Sequence, residues 1–308
     1  MSSAHSSTGR VVRIRQVDAF TDVPLAGNPA GVVLDADGLT EEAMQAIARE
    51  MALPETSFIL SPTQPGADVR IRWFTPHNEV PLCGHATIAS FHAMAEAGLH
   101  GMTKGGSYRF SLETRSGILP VNVEKGGDSC EIFFGLPVPE FTRAGQFKLD
   151  AMRLAGIPYE EFESRMPIVA AGYLYVPVRR LHTVFALKPN HFGLSQFLAN
   201  RKFGGLCVFT TETVDRGSAV HSRFFAPHQG IDEDPVTGSA NGPLGVYLFE
   251  RGLLEPSSEV LTIVGEQGDS IGRRGRVTVR MTIAEKEVES LMIGGRAVTV
   301  LSGDLRIA

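Results

Sequence analysis

The 308-residue chain is 43% hydrophobic and 20% charged, a balance that suits a globular protein and a length that allows about two domains, each with ample core. Its 29 basic and 34 acidic residues leave a net charge of −5 with no long basic run, which argues against nucleic acid as a partner. Cys83, Cys130 and Cys207 are too few and too scattered for a disulfide framework, the polar leader MSSAHSSTGR reads as disordered, and no stretch is apolar enough to span a membrane, so a cytoplasmic location is expected.

In chain order, residues 11–20 alternate in the manner of a strand. The run AGNPAG, residues 26–31, matches neither a phosphate-binding loop nor a dinucleotide fingerprint; it reads as a tight turn bordering a site, which makes Asn28 a candidate substrate contact. Thr40 caps a helix over 40–51, with Glu41 and Glu42 in its first turn and Met44, Ile47, Ala48 and Met51 facing inward. That helix must stop before Leu53-Pro54. Glu55 follows in ALPETSFIL, against apolar Phe58, Ile59 and Leu60. Burial there would raise its pKa and suit it to general acid/base work, the alternative being a glutamate on a solvated turn.

A strand over 69–74 leads through RWFTPHNEVPLCGHAT into a helix over 84–97, with Ile88, Phe91, His92 and Ala95 on its inward stripe and Gly98 as its stop. Strands are expected at 108–114, 118–123 and 131–134, and Gly126-Gly127-Asp128 break the pattern where the boundary between halves 11–125 and 126–308 is expected. One helix is expected in each of 141–166 and 188–204. A strand over 219–225 then leads through RFFAPHQGIDEDPVTGSA into a helix over 238–251, with Leu244, Tyr247 and Leu248 inward and Gly252 as its stop. GRRGR at 272–276 reads as a solvated hairpin turn between strands, and strands at 277–283 and 297–301 follow, the last a candidate to pack back on the first domain.

The two quoted stretches say nearly the same thing half a chain apart: Arg, aromatic, Phe, a Pro-His turn, an acidic connector, then Gly, a polar residue and Ala opening a helix. This is a duplicated α+β unit. A helix start exposes unpaired N–H groups and the positive end of the helix dipole, and glycine lets an anion approach closely. Gly84 with His85 and Gly238 with Ser239 are therefore candidate anion contacts, although such residues also simply start helices well. Asp234, before Pro235, is a candidate catalytic group or a turn residue. His77, His85, His221, His228, Asp232 and Asp234 lack metal-ligand spacing, and no metal is expected.

QVDAFTDVPLAGNPAGVV at 16–33, LPETSFI at 53–59, RWFTPHNEVPLCGHATIA at 72–89 and DEDPVTGSANG at 232–242 together resemble the PhzF family, the phenazine-biosynthesis-type isomerases. The resemblance spans nearly the whole chain after residue 10. It implies the diaminopimelate-epimerase fold, two similar domains each with a sheet wrapped around a central helix, enclosing a cleft in which the two helix starts face one anion. It also implies a homodimer, no cofactor, and a small carboxylate substrate. By the same resemblance Glu55 is the acid/base, His85 and Asp234 position substrate and assist proton movement, and Gly84, Gly238 and Ser239 hold the substrate carboxylate. Cys83 stands in a CGH context like the first of the two cysteines of related racemases, but DPVTGS offers no second thiol. A Cys83-dependent racemase and a non-catalytic carboxylate-binding protein are the competing readings.

Overall fold

The computed structural model describes residues 10–127 and 129–307; the expected disordered leader lies outside them. The fold is α+β, and the chain divides into two compact units. The first takes the described residues up to Leu25, Pro29–Ile132 and those from Arg296 onward; the second takes Ala26–Asn28 and Phe133–Gly295.

In the first unit, strand Glu55–Leu60 runs parallel to Asn28–Val33 on one side and antiparallel to Val69–Phe74 on the other. Gly31 permits the first pairing: a Cβ there would sit 2.7 Å from Thr56 Oγ1. Gly27, with φ 59°, makes the expected turn in AGNPAG, and from Asn28 onward the run is strand. Val69–Phe74 continues in parallel to Gly106–Thr114, which pairs with Gly117–Lys125. Arg10–Ala19 pairs antiparallel with Ala297–Ile307, so the last strand of the chain belongs to the first unit. Helix α1, Glu41–Met51, is capped as its sequence suggests, Thr40 accepting from the Ala43 N–H at 3.2 Å.

Helix α2, Gly84–Glu96, departs from the amphipathic stripe expected of it. Every residue from His85 to Ala95 is buried, because strands Arg10–Ala19, Ala297–Ile307 and Glu55–Leu60 pack around it. Its buried hydroxyls turn back on their own helix: Thr87 Oγ1 donates to Cys83 O at 2.6 Å and Ser90 Oγ to Ala86 O at 2.6 Å. Cations close its C-terminal end, with Arg15 donating to Ala93 O and Lys125 to Ala95 O. Its N-terminal end has no such closure: Cys83 occupies the N-cap and makes no side-chain capping bond.

The second unit adds α3 (Lys148–Ala155) and α5 (His191–Arg201), each shorter than the expected helical region that holds it, and α4 (Leu181–Ala186), which lies outside both regions. Strand Val220–Ala226 pairs antiparallel with Leu206–Thr210 and parallel with Val260–Gln267, which leads into the antiparallel run Gly275–Ala284 and Glu287–Gly295. Helix α6, Gly238–Glu250, lies on that run, close enough that a Cβ on Gly242 would meet Ile293 at 2.8 Å. The segment 272–276 does connect antiparallel strands, but it is not merely solvated, since Arg276 is held by Asp215 at 2.7 Å and Asp269 at 3.0 Å.

The duplication seen in the sequence extends to side-chain geometry. Arg72 makes a two-pronged ion pair with Glu79, at 2.8 and 2.7 Å, and sits 5.0 Å over the Phe74 ring. Arg223 repeats this with Glu233, at 2.8 and 2.6 Å, and lies 5.1 Å over Phe225. In each unit this pair ties the strand to the acidic connector that precedes the helix start.

Candidate active site

Glu55 opens its strand immediately after Pro54, and its position is set by that strand's tie to α2: Ser57 Oγ donates to Ala86 O in the first turn of the helix, at 3.2 Å. The same first turn carries Cys83 and His85. One His85 nitrogen, Nε2, lies 3.2 Å from Glu55 Oε2, and Cys83 Sγ lies 3.5 Å from His85 Nδ1. All three side chains are largely withdrawn from solvent, with Glu55 the most open at 14% side-chain exposure. The strand and the helix start thus bring together three residues that lie in two separate sequence motifs.

The electrostatics correct the expectation for Glu55. Burial alone does push its carboxyl up, but the His85 imidazole, through charge and hydrogen bond, and the Cys83 thiol outweigh it and hold the pKa below the ordinary glutamate value. Burial opposes the charged form of His85 as well, yet Cys83 and Glu55 carry its pKa well above the usual value. Burial and the Glu55 charge raise the Cys83 thiol. The shifts favour Glu55 as carboxylate and His85 as imidazolium: a base already deprotonated beside an acid already protonated.

Asn28, Asp234, Gly238 and Ser239 lie in the second unit. Asp234 is braced on both carboxylate oxygens, Oδ1 accepting from Asn28 Nδ2 at 2.8 Å and Oδ2 from the Thr237 hydroxyl. Asn28 also donates to Val236 O at 2.9 Å and is fully buried, so its amide nitrogen braces the loop. Gln267 completes the arrangement, donating to Asp234 O at 2.8 Å and to Thr237 Oγ1 at 3.0 Å, and accepting from the Thr237 N–H at 3.1 Å.

This network decides what the start of α6 presents. Thr237 is the N-cap, but its hydroxyl is turned to Asp234 and makes no capping bond. Ala240 and Asn241 N–H bond back to Thr237 O, whereas among the described residues no partner accepts from the N–H groups of Gly238 and Ser239. The same holds for Gly84 and His85 at the start of α2, where Thr87 N–H bonds to Cys83 O. Both duplicated helices therefore open on free donors next to a glycine, an arrangement fit for a carboxylate. Ser239 Oγ is shared with the Tyr173 hydroxyl at 2.9 Å. Sequence reasoning missed Tyr173, Thr237, Gln267 and Ser57; Thr237 alone carried a signal, since it stands at the N-cap of the repeated motif.

Of the histidines and acids weighed as metal ligands, His85 alone joins a compact donor set. Among the described residues that set is Glu55, Cys83 and His85, whose ligand atoms lie within 4.8 Å of one another. No described helix is long and apolar enough to cross a membrane.

Comparison with known proteins agrees with this architecture. The PhzC-PhzF family model, described as phenazine biosynthesis-like protein, matches residues 17–303. The chain is 38% identical to an uncharacterized isomerase of Clostridium acetobutylicum, over 96% of this chain and 98% of that one. It is 32% identical to the trans-2,3-dihydro-3-hydroxyanthranilate isomerase of Pseudomonas chlororaphis, over 94% and 97%. Among solved structures, the phenazine biosynthesis protein of the PhzF family from Bacillus anthracis superposes with a TM-score of 0.85 at 34% identity, covering 96% of this chain and 99% of that one. A hydroxyproline epimerase from Agrobacterium vitis shares the fold alone, at a TM-score of 0.60 and 14% identity over 96% and 91%. With its repeated helix starts and its Glu-Cys-His cluster, the chain belongs to the PhzC-PhzF phenazine biosynthesis-like family of isomerases.

Proposed function

We propose that this isomerase moves a proton between two carbons of a small carboxylate without a cofactor, with Glu55 as the base that removes the proton and the acid that returns it. The observation that carries the reading is the 3.2 Å Glu55–His85 pair, which keeps the carboxylate ionised in a nearly dry setting. The pair keeps the base deprotonated and in place across neutral pH, and the adjacent imidazolium stabilises negative charge that develops as the proton leaves. Free N–H groups at the glycine helix starts suit a substrate carboxylate, and Asp234, held by Asn28 and Thr237, orients the loop that precedes Gly238.

The substrate class follows from the Pseudomonas relative, whose name specifies trans-2,3-dihydro-3-hydroxyanthranilate. That compound is the first to test, followed by other cyclic and amino-acid carboxylates. The experiment is steady-state turnover by the wild type and by Glu55→Gln. Turnover by the wild type that falls at least ~10²-fold in the variant supports the reading, since acid/base groups contribute on that scale. Turnover that the variant keeps within tenfold removes Glu55 from the role. The racemase alternative needs Cys83 as a thiolate, which burial and the neighbouring carboxylate both oppose.

A further inference from the structure

We propose that Glu55, Cys83 and His85 bind one soft divalent cation of the zinc class in place of protons, and that the ion, once bound, switches the enzyme off. The binding stands on geometry; the inhibition rests on the proposed role of Glu55.

Thiolate, imidazole and carboxylate are the donor set that zinc prefers, and three protein ligands with a fourth position open to water or substrate is a common zinc arrangement. Zinc bonds of about 2.0–2.3 Å at tetrahedral angles need ligand atoms about 3.4 Å apart for nitrogen and oxygen, and about 3.6 Å apart for nitrogen and sulfur. The corresponding separations are 3.2 Å from His85 Nε2 to Glu55 Oε2 and 3.9 Å from the same nitrogen to Cys83 Sγ. Small side-chain rotations close the remaining difference, and the backbone is already fixed by the Ser57 bond to Ala86 O.

Charge balance supports the same conclusion. Zinc held by carboxylate, thiolate and neutral imidazole carries no net charge. The bound ion therefore brings no uncompensated charge into a buried site, which removes the main penalty against a dication there. With one Glu55 oxygen and the His85 nitrogen committed to the ion, the carboxylate loses most of its basicity toward carbon and the imidazolium is gone.

The test uses the full chain, stripped with a chelator and titrated with zinc sulfate by calorimetry, with metal content counted after gel filtration. The expected result is a single retained zinc per chain, with protons released on binding, read from the dependence of the heat on buffer ionisation enthalpy. Cys83→Ser and His85→Asn should each weaken binding at least tenfold while melting like the wild type, and Cys130→Ser, which alters a half-buried thiol outside the cluster, should bind zinc unchanged. Should Cys83→Ser melt early, Glu55→Gln supplies the second ligand variant, again with weaker binding expected. A wild type that retains no zinc, or binding that the ligand variants leave intact, overturns the site. Stoichiometric zinc that leaves turnover unaffected overturns the inhibition. Absence of turnover on every carboxylate tried would count against the isomerase chemistry proposed above and leave the zinc measurement standing.

Discussion

His85 Nε2 lies 3.2 Å from Glu55 Oε2, and this contact makes an ion pair of two groups that burial alone would neutralise. It also sets the expected pH profile. The Glu55 pKa is depressed, so the base form is lost only as pH falls below the ordinary glutamate range. The His85 pKa is raised, so the acid form is lost only as pH climbs above the ordinary histidine range. Plots of kcat/KM should show a flat top across neutrality with both limbs displaced outward; an alkaline limb at an unperturbed histidine value would disprove the pairing.

Glu55→Gln removes the counter-charge but leaves His85 buried. The His85 pKa, followed by NMR titration of its ring protons, should then drop from its raised position, because desolvation is left with one fewer opponent. A His85 titration unchanged in the variant would mean that the two side chains do not interact in solution.

The brace around Asp234 predicts a division between stability and binding. Asn28→Ala removes a fully buried side chain that donates to two acceptors, and should cost about 1–3 kcal/mol in urea denaturation. It should also raise KM for the carboxylate more than it lowers kcat, because Asp234 and the helix start lose their fixed position while Glu55 is untouched. A loss in kcat alone would assign Asn28 to the chemistry.

Acid unfolding has an identifiable contributor in the second unit. Burial raises the Glu266 carboxyl, but bonds from His221 and from the N–H groups of Val214 and Asp215 bring it down to about 2. Its native pKa lies below the unfolded value near ~4.3, so its contribution is present in full above that value and is lost as pH falls toward 2. That contribution is on the order of 2–3 kcal/mol. Stability measured from pH 6 to pH 2.5 should fall less steeply in Glu266→Gln than in the wild type; parallel slopes would refute it.

Much of the site was readable in the sequence because the motif is written twice. RWF and RFF, the Pro-His turns and the glycine helix starts are local patterns, and they led to the strands, to α2 and α6, and to His85 at a helix start, while Glu55 was singled out by its apolar neighbours and by the family resemblance. What was not readable depends on residues distant in the chain. The pKa of Glu55 was expected to rise because ALPETSFIL shows only its apolar neighbours, whereas His85, thirty positions on, reverses the direction. Asn28 was singled out because its run borders a motif, and its bracing of Asp234, 206 positions away, had no local mark. Gln267 ends an ordinary strand and carries no local mark. The burial of α2 on every side was hidden because its small residues Ala86, Ala89, Ser90 and Ala93 mimic a weak amphipathic pattern, while the surrounding strands come from both ends of the sequence.

The central claim, that Glu55 takes a proton from one carbon and returns it to another, is tested most directly by turnover of trans-2,3-dihydro-3-hydroxyanthranilate, or of whichever carboxylate the enzyme accepts, in D₂O. Deuterium is located by NMR in product and in recovered substrate, for the wild type, Cys83→Ala and Glu55→Gln. The account predicts deuterium at the carbon that gains the proton, with none exchanged into recovered substrate at the carbon that loses it. It predicts the same pattern in Cys83→Ala, with most of the turnover kept, and none of this chemistry in Glu55→Gln. Exchange confined to the donor carbon and abolished in Cys83→Ala would contradict it and make the thiol the base.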